Sequence, residues 1–300
     1  MYKSFYGLTS NPFEISPDPR FYYSTPQHNE ALAMLTYGID RRRGFIVVTG
    51  EVGTGKTLLA RYLLKLLSWQ KIPVGYVFNP LLSTVEFLQY ATKDMGVPAA
   101  GRNKGELLAS LNQYLVALHR QRLTAVLVVD EAHLLTWELL EEVRLLTNLE
   151  TSTEKLLQIV LIGQPELDEK LNSQSLRQLK QRISLRCRLG PLSAQQTREY
   201  IERRLWFAGA KERYNKIFSA EAIDLVHRYS TGIPRLINTI SESALITSFA
   251  LKDAVVAART INEVAVDLCL AAPATRVEAP PRDRSTVAFA PRATATGVGT

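Results

Sequence analysis

Cysteine is nearly absent from this chain. Its 300 residues include only Cys187 and Cys269, too few for a disulfide scaffold. Both are expected to be buried free thiols of a reducing compartment. Histidine is scarce too: His28, His119, His133 and His227 stand far apart, so no Cys/His spacing suggests a metal cluster. No run of about 18 apolar residues occurs, so no membrane-spanning helix is expected. The opening residues, Met1-Tyr2-Lys3-Ser4-Phe5-Tyr6-Gly7, lack the apolar core of a signal peptide. No internal repeat is visible. Acidic residues are missing from one long stretch. Between Lys170 and Arg198 there are none, while seven basic residues occur: Lys170, Arg177, Lys180, Arg182, Arg186, Arg188 and Arg198. Arg41-Arg42-Arg43 is a second basic cluster, and the formal net charge is +7. Such charge reads either as a solvated face with arginines aimed at nucleotide phosphates, or as a patch for nucleic acid or an anionic membrane.

What is present is more specific. Gly50-Glu51-Val52-Gly53-Thr54-Gly55-Lys56-Thr57 has the pattern G-x-x-x-x-G-K-T. It follows an apolar run, Phe45–Thr49, that reads as a buried strand, and precedes Leu58–Leu64, which reads as a helix. Strand, glycine-rich loop and helix together are the context of a P-loop. Glycines let successive backbone N–H groups point at phosphate oxygens, and the helix N-terminus adds its dipole. Lys56 is expected to reach the β- and γ-phosphates, and the Thr57 hydroxyl to hold Mg²⁺.

A second motif follows. Ala125–Val129 is a continuous apolar run, the mark of a strand buried on both faces, and Asp130-Glu131-Ala132-His133 emerges from its end. Open α/β sheets bind ligands at the C-terminal ends of their strands. Asp130 is expected to hold Mg²⁺ through water, and Glu131 to orient the attacking water. The same pair could instead only cap a helix.

Strands and helices alternate along the chain, which implies a parallel sheet. Strands are expected at 45–49, 73–78, 125–130, 157–163 and 185–189. Helices are expected at 27–41, 56–69, 83–95, 104–120, 136–150, 165–171 and 175–182. After Gly190-Pro191 only helical segments remain, near 193–208, 219–229, 233–250 and 260–269, with Ser193 and Ser219 as N-caps. The organisation read from this is a nucleotide-binding core over 1–190, a helical lid over 191–270, and a tail over 271–300. That tail holds eight Ala, four Pro and five Thr, a composition that cannot build a core, and is expected to be disordered.

Three further residues fit nucleotide sensing. Gln164 sits just past the strand 157–163, expected between the two motif-bearing strands, within reach of a γ-phosphate or its attacking water. Arg235, in Gly232-Ile233-Pro234-Arg235, opens a lid helix. A buried arginine at a positive helix end is electrostatically odd, and a phosphate would resolve it. Asn79, ending the strand 73–78, could hold Glu131 idle.

These residues resemble the AAA+ ATPases of the general secretion pathway protein A type, the ExeA-like family. The resemblance rests on Tyr6-Gly7-Leu8, Asn11-Pro12-Phe13, Pro17-Asp18-Pro19-Arg20-Phe21-Tyr22, the P-loop and Val129–His133. It continues through Leu145–Glu150, Leu161–Leu167, Gln181-Arg182-Ile183 and Gly232–Asn238, covering about residues 1–265. It implies a five-stranded AAA+ core with a helical lid, ATP with Mg²⁺, ATP hydrolysis, and a ring or filament of identical subunits. Arg182 would match the arginine finger and Arg235 the second sensor. The N-terminal block would lie against the adenine, through Asn11-Pro12-Phe13 and Tyr23. The role implied is a motor or switch for envelope, secretion, pilus or exopolysaccharide assembly, cytoplasmic or peripheral at the inner membrane. Two other readings stay open: a DNA-binding regulator of transposition type, and a nucleotide-gated scaffold with negligible turnover.

Overall fold

In the computed structural model, residues 1–14, 23, 25–99 and 103–270 are described. The Pro17–Tyr22 block and the tail over 271–300 lie outside them.

Five strands form one all-parallel sheet: β1 (Phe45–Gly50), β2 (Val74–Val77), β3 (Ala125–Val129), β4 (Leu157–Gly163) and β5 (Ile183–Leu189). Their spatial order is β2-β3-β4-β1-β5. β4 therefore separates the two motif-bearing strands, β1 and β3, as the sequence predicts. Every residue of β1, β3 and β4 is buried, which explains their predominantly apolar sequences. β5 is an edge strand. Its Ser184, Arg186 and Arg188 face solvent, a polar row that discourages pairing with another sheet. It begins two residues before the expected 185. Phe45 pairs with Ile183 but Ile46 with Leu185, so Ser184 is the extra residue of a bulge. The Ser184 hydroxyl donates to the Arg43 carbonyl at 2.6 Å.

Helices cover both faces. α1 (Tyr2–Tyr6) was not foreseen; α2 (Pro26–Asp40), α3 (Lys56–Trp69), α4 (Thr84–Asp94), α5 (Lys104–Arg120), α6 (Trp137–Leu146) and α7 (Pro165–Asn172) match expected segments. α6 stops at Leu146 rather than 150 because side chains capture its end. The Thr147 hydroxyl donates to the Arg144 carbonyl at 2.6 Å, and Lys155 Nζ donates to the Thr147 carbonyl at 3.0 Å. The expected helix 175–182 is instead a 3₁₀ turn, Gln174–Leu176, and the single turn α8 (Arg177–Lys180).

After β5 come α9 (Ala194–Phe207), α10 (Ala220–Ser230), α11 (Pro234–Ala250) and α12 (Ala258–Asp267). Ser193 caps α9 in a capping box with Gln196, and Ser219 accepts from the Ala222 N–H. These helices share their own apolar cluster, distinct from the two that flank the sheet. The N-terminal segment joins that cluster and not the sheet: Tyr2, Tyr6, Leu8 and Phe13 are buried in it. Phe13 packs edge-on to Phe218, with centroids 6.1 Å apart. Tyr2 donates to Glu242 at 2.7 Å, and Tyr6 to the Asp253 carbonyl at 3.0 Å.

The thiols differ from expectation. Cys187 is half-buried on β5, where burial pushes its pKa up. Cys269 is exposed, because α12 ends at Asp267 and the chain turns there with a left-handed φ of 53°. Among the described residues, no helix is long and apolar enough to cross a membrane.

Candidate functional site

The site is assembled where β1, β3 and β4 end. Beyond Gly50, the loop turns through Gly53 and Gly55 at φ 82° and 98°, and α3 starts at Lys56. The Thr54 hydroxyl donates to the Glu51 carbonyl at 2.8 Å and fixes the curl, while Val52 stays exposed. The first N–H groups of α3 have no acceptor within the helix and open toward the mouth of the loop.

Lys56 is buried, and its ammonium donates to the Gly50 and Glu51 carbonyls at 2.7 and 2.9 Å. Burial lowers its pKa, while Glu131, Asp130, Glu51 and Glu166 oppose that shift by their charge. Asp130 lies across the loop, buried to 3% exposure. It accepts from the Glu131 N–H at 2.9 Å and the Tyr76 hydroxyl at 3.2 Å, and it hydrogen-bonds Thr57. Burial raises its pKa against those bonds. A buried carboxylate beside a threonine hydroxyl is the hard oxygen set that suits Mg²⁺.

Glu131 has a left-handed backbone, φ 51°, which is costly for a residue with a Cβ and is found where a structure over-determines a functional group. Its Oε2 is buried with no hydrogen-bond partner; the nearest basic atom is His133 Nδ1 at 3.4 Å. The His133 Nε2 lies 3.0 Å from Gln164 Nε2. Lys56, Thr57, Asp130, Glu131 and Gln164 thus converge.

Arg235 reaches the same place from α11. Its N–H donates to the Gly53 carbonyl at 3.3 Å, and a Cβ on Gly53 would lie 2.6 Å from Arg235 Cβ. Its side chain is exposed and not buried as the sequence reading supposed. The preceding turn demands glycine: Gly232 has φ 78°, and a Cβ there would sit 2.1 Å from the Leu192 carbonyl oxygen.

Arg182 is elsewhere. Its guanidinium donates to Thr147 Oγ1 and, at 2.7 Å, to Asn148 Oδ1, at the end of α6. Asn79 is exposed and its amide oxygen accepts from the Leu81 N–H, so it does not hold Glu131. The residues that the resemblance sets beside the adenine pack against the C-terminal helices. Phe13 is in the lid core, and Tyr23 donates to Glu199 of α9 at 2.6 Å.

The basic stretch is also less free than its sequence. Lys170 donates to the His133 and Leu135 carbonyls, Arg186 pairs with Asp168 at 3.1 Å, and Arg198 with Asp224 at 3.2 Å. Their acids lie outside the acid-free window. Among the described residues, Arg177, Lys180 and Arg188 are exposed with no such partner.

Four contributors escaped the sequence reading. Tyr76 and Lys170 buttress Asp130 and the turn after β3, and His133 joins Glu131 to Gln164. His28 of α2 is buried beneath the loop, bonded to the Thr54 backbone, with Nδ1 2.7 Å from Thr25 Oγ1. Only His133, two residues after Glu131, carried a signal in the sequence.

Comparison with known proteins bears on family and fold. The family described as AAA domain matches residues 39–171. General secretion pathway protein A of Aeromonas hydrophila is 45% identical over 251 residues, 83% of this chain. The chain spans 45% of that protein's length. The ORC2 protein of Aeropyrum pernix, solved in ADPNP-ADP complexes, superposes with TM-score 0.62 at 14% identity, covering 87% of this chain and 72% of its own. Cdc6p of Pyrobaculum aerophilum gives 0.64 at 18% identity, over 85% and 70%. At such identities these two structures speak to the fold alone.

Proposed function

Since the chain belongs to the AAA+ family of general secretion pathway protein A type, we propose that it binds ATP with Mg²⁺ and hydrolyses it, as an oligomeric motor or switch of an envelope-assembly system. One observation carries this. The Lys56 ammonium closes the mouth of its own loop against two carbonyls, facing the buried Asp130 and the unpartnered Glu131 oxygen. A cation held among anions and loop carbonyls can exchange those carbonyls for phosphate oxygens at small cost.

The roles follow from placement. Residues 50–55 and the first turn of α3 cradle the phosphates, and Lys56 turns from Gly50 and Glu51 to the β- and γ-phosphates. Thr57 and Asp130 hold Mg²⁺, which supplies charge neutralisation across the phosphates. Glu131 orients the attacking water as general base. Gln164 reads the γ-phosphate from β4, and Arg235 closes over the loop from the lid. Arg182, remote from its own loop, serves a neighbour's phosphate within a ring or filament and adds charge at the transition state. Inner-membrane association and a client among secretion components are part of the same reading, by likeness to the Aeromonas protein.

The test separates binding from chemistry. Lys56→Ala should strongly weaken ATP binding. Glu131→Gln should bind ATP yet lose at least about 100-fold in turnover, the range for loss of a general base. A folded Lys56→Ala variant with unchanged affinity would refute the site. A Glu131→Gln variant with normal turnover would reduce Glu131 to a cap.

A further inference from the structure

We propose that the end of the sheet remote from the nucleotide site is a docking surface for an anionic lipid bilayer. This deepens the inner-membrane part of the function proposed above and rests on it; ATP turnover is not required.

All five strands are parallel, so every strand is entered at one end, and the nucleotide motifs sit at the other. The entry loops are 41–44, 70–73, 121–124, 147–156 and 181–182. In the strand order they lie side by side, at about 4.8 Å per step, as a row roughly 19 Å long. β1 has six residues, so about 20 Å separates this row from the P-loop.

The row is cationic. Each of the five loops carries a basic residue, and the loop before β1 carries three, Arg41-Arg42-Arg43. The only acids on these loops are Glu150 and Glu154, and both are spent, on Lys155 and on Arg42. Arg41, Arg43, Lys71 and Arg122 are exposed, and Arg120 is exposed beside them at the end of α5. A helix C-terminus favours a nearby cation through its dipole. That accounts for one charge per helix, not for Arg41 with Arg43 after α2, or for Arg120 with Arg122 at the end of α5.

Arg42 ties the loops together. Its guanidinium donates to Glu154 at 2.8 Å and to the Leu123 carbonyl at 3.2 Å, and lies 2.7 Å from His119 Nδ1. A cavity of about 610 Å³ opens among these side chains, lined also by Arg120 and Arg122. It can admit a phosphodiester headgroup between guanidinium groups, which suit phosphate oxygens.

Two aromatic side chains stand at the rim. Trp69 ends α3 and is 68% exposed, with Lys65 Nζ 5.0 Å from its ring centroid. Tyr37, in the last turn of α2, is 48% exposed and hydrogen-bonded to Arg43. An aromatic ring with an apolar body and a polar tip gains at the headgroup layer of a bilayer. Clustered cations gain there from anionic lipid. Duplex DNA would satisfy the cations but not the indole, because its bases are stacked inside. Anionic lipid meets both features.

The test is sedimentation of the full chain with vesicles of equal parts phosphatidylcholine and phosphatidylglycerol, and with vesicles of phosphatidylcholine alone. The wild type should bind the anionic vesicles, leave them as salt is raised, and ignore the neutral ones. Arg41→Gln, Lys71→Gly, Arg120→Gln and Arg122→Gly together should weaken that binding several hundredfold, at about fivefold per cation. Lys71 and Arg122 have φ of 57° and 59°, so glycine relieves their backbone and the variant keeps its fold. Its affinity for ATP with Mg²⁺ should match the wild type. Changing four exposed lid residues to Gln, at Lys211, Arg213, Lys216 and Arg228, removes equal charge and should alter vesicle binding little. A chain keeping Trp69 but with Trp137→Phe and Trp206→Phe should have its fluorescence quenched by brominated lipid.

Vesicle binding that survives loss of the four patch cations, or an unquenched Trp69, overturns the docking surface and spares membrane association. No binding to anionic vesicles overturns both. Duplex DNA that displaces the vesicles through the same four residues also overturns the docking surface. A folded wild-type chain that binds anionic vesicles but not ATP refutes the ATPase reading alone.

Discussion

Gly232→Ala tests the coupling of lid to nucleotide loop without touching either motif. Gly232 precedes α11 by two residues, and its carbonyl accepts from the Leu192 N–H at 2.8 Å. Two costs add on substitution. Holding alanine at φ 78° costs about 1–2 kcal/mol. A Cβ 2.1 Å from a backbone carbonyl oxygen cannot be relieved by a rotamer, so the main chain must move, at about 1–3 kcal/mol. The sum, about 2–5 kcal/mol, corresponds to a fall in Tm of roughly 4–20 °C at 2–4 °C per kcal/mol. The geometry says where the movement goes. Either α11 retreats, taking Arg235 off Gly53, or the junction after β5 shifts. ATP affinity should therefore fall although every P-loop residue is intact. Thermal unfolding with and without Mg²⁺ and ATP reads both effects, since bound nucleotide adds stability by mass action. A variant with wild-type Tm and wild-type nucleotide-induced stabilisation would show that this turn neither strains nor positions the lid.

Three further outcomes are expected. Arg182→Ala should bind ATP but hydrolyse it poorly, and mixing it with Lys56→Ala subunits should recover activity; co-assembly without recovery would remove Arg182 as the finger. Replacing Arg177, Lys180 and Arg188 by Glu should leave basal ATPase intact, and any DNA binding of the parent chain should be weak and steeply salt-dependent; a tight, ATP-dependent complex with duplex DNA at physiological salt would favour the transposition-type reading. Burial lowers the pKa of His28, so the unfolded chain takes up a proton first as pH falls. His28 then costs nothing above its ordinary value of 6.5 and destabilises increasingly below it, until the folded ring also titrates. His28→Gln should flatten the fall in Tm below that pH, and an unchanged acid profile would show that His28 is not the group titrating.

The elements that build the candidate site were legible because their signals are local. A buried strand, a glycine loop and a helix start are consecutive in Phe45–Leu64, and Asp130-Glu131 follows five consecutive apolar residues that read as a buried strand. Local caps at Ser193 and Ser219 were readable for the same reason. What stayed hidden depends on distant partners. Tyr2, Tyr6 and Phe13 look like any N-terminal aromatics until α11 and Phe218 arrive. The acid-free stretch looked like a free cationic face, yet Asp168 lies just before it and Asp224 well after it. Lys170, read as part of that face, spends its charge on the carbonyls of the turn after β3. The end of α6 failed for a related reason: Lys155 and Arg182 compete for its last turn from outside the helix.

The entry of α1 into the lid cluster has a consequence for biosynthesis. Tyr2 and its partner Glu242 are 240 residues apart in the chain. At ribosomal rates of about 5–20 residues per second, Tyr2, Tyr6 and Phe13 wait on the order of 10–50 s before α11 is made. The sheet can close in that interval, so α1 is made before the sheet and buried after it. During the wait it presents an aromatic, unpaired stretch to chaperones and to other nascent chains. Translation stalled before α11 would therefore yield a closed sheet with its α1 segment still uncovered, and that segment, not the sheet, would be the site at which such fragments aggregate.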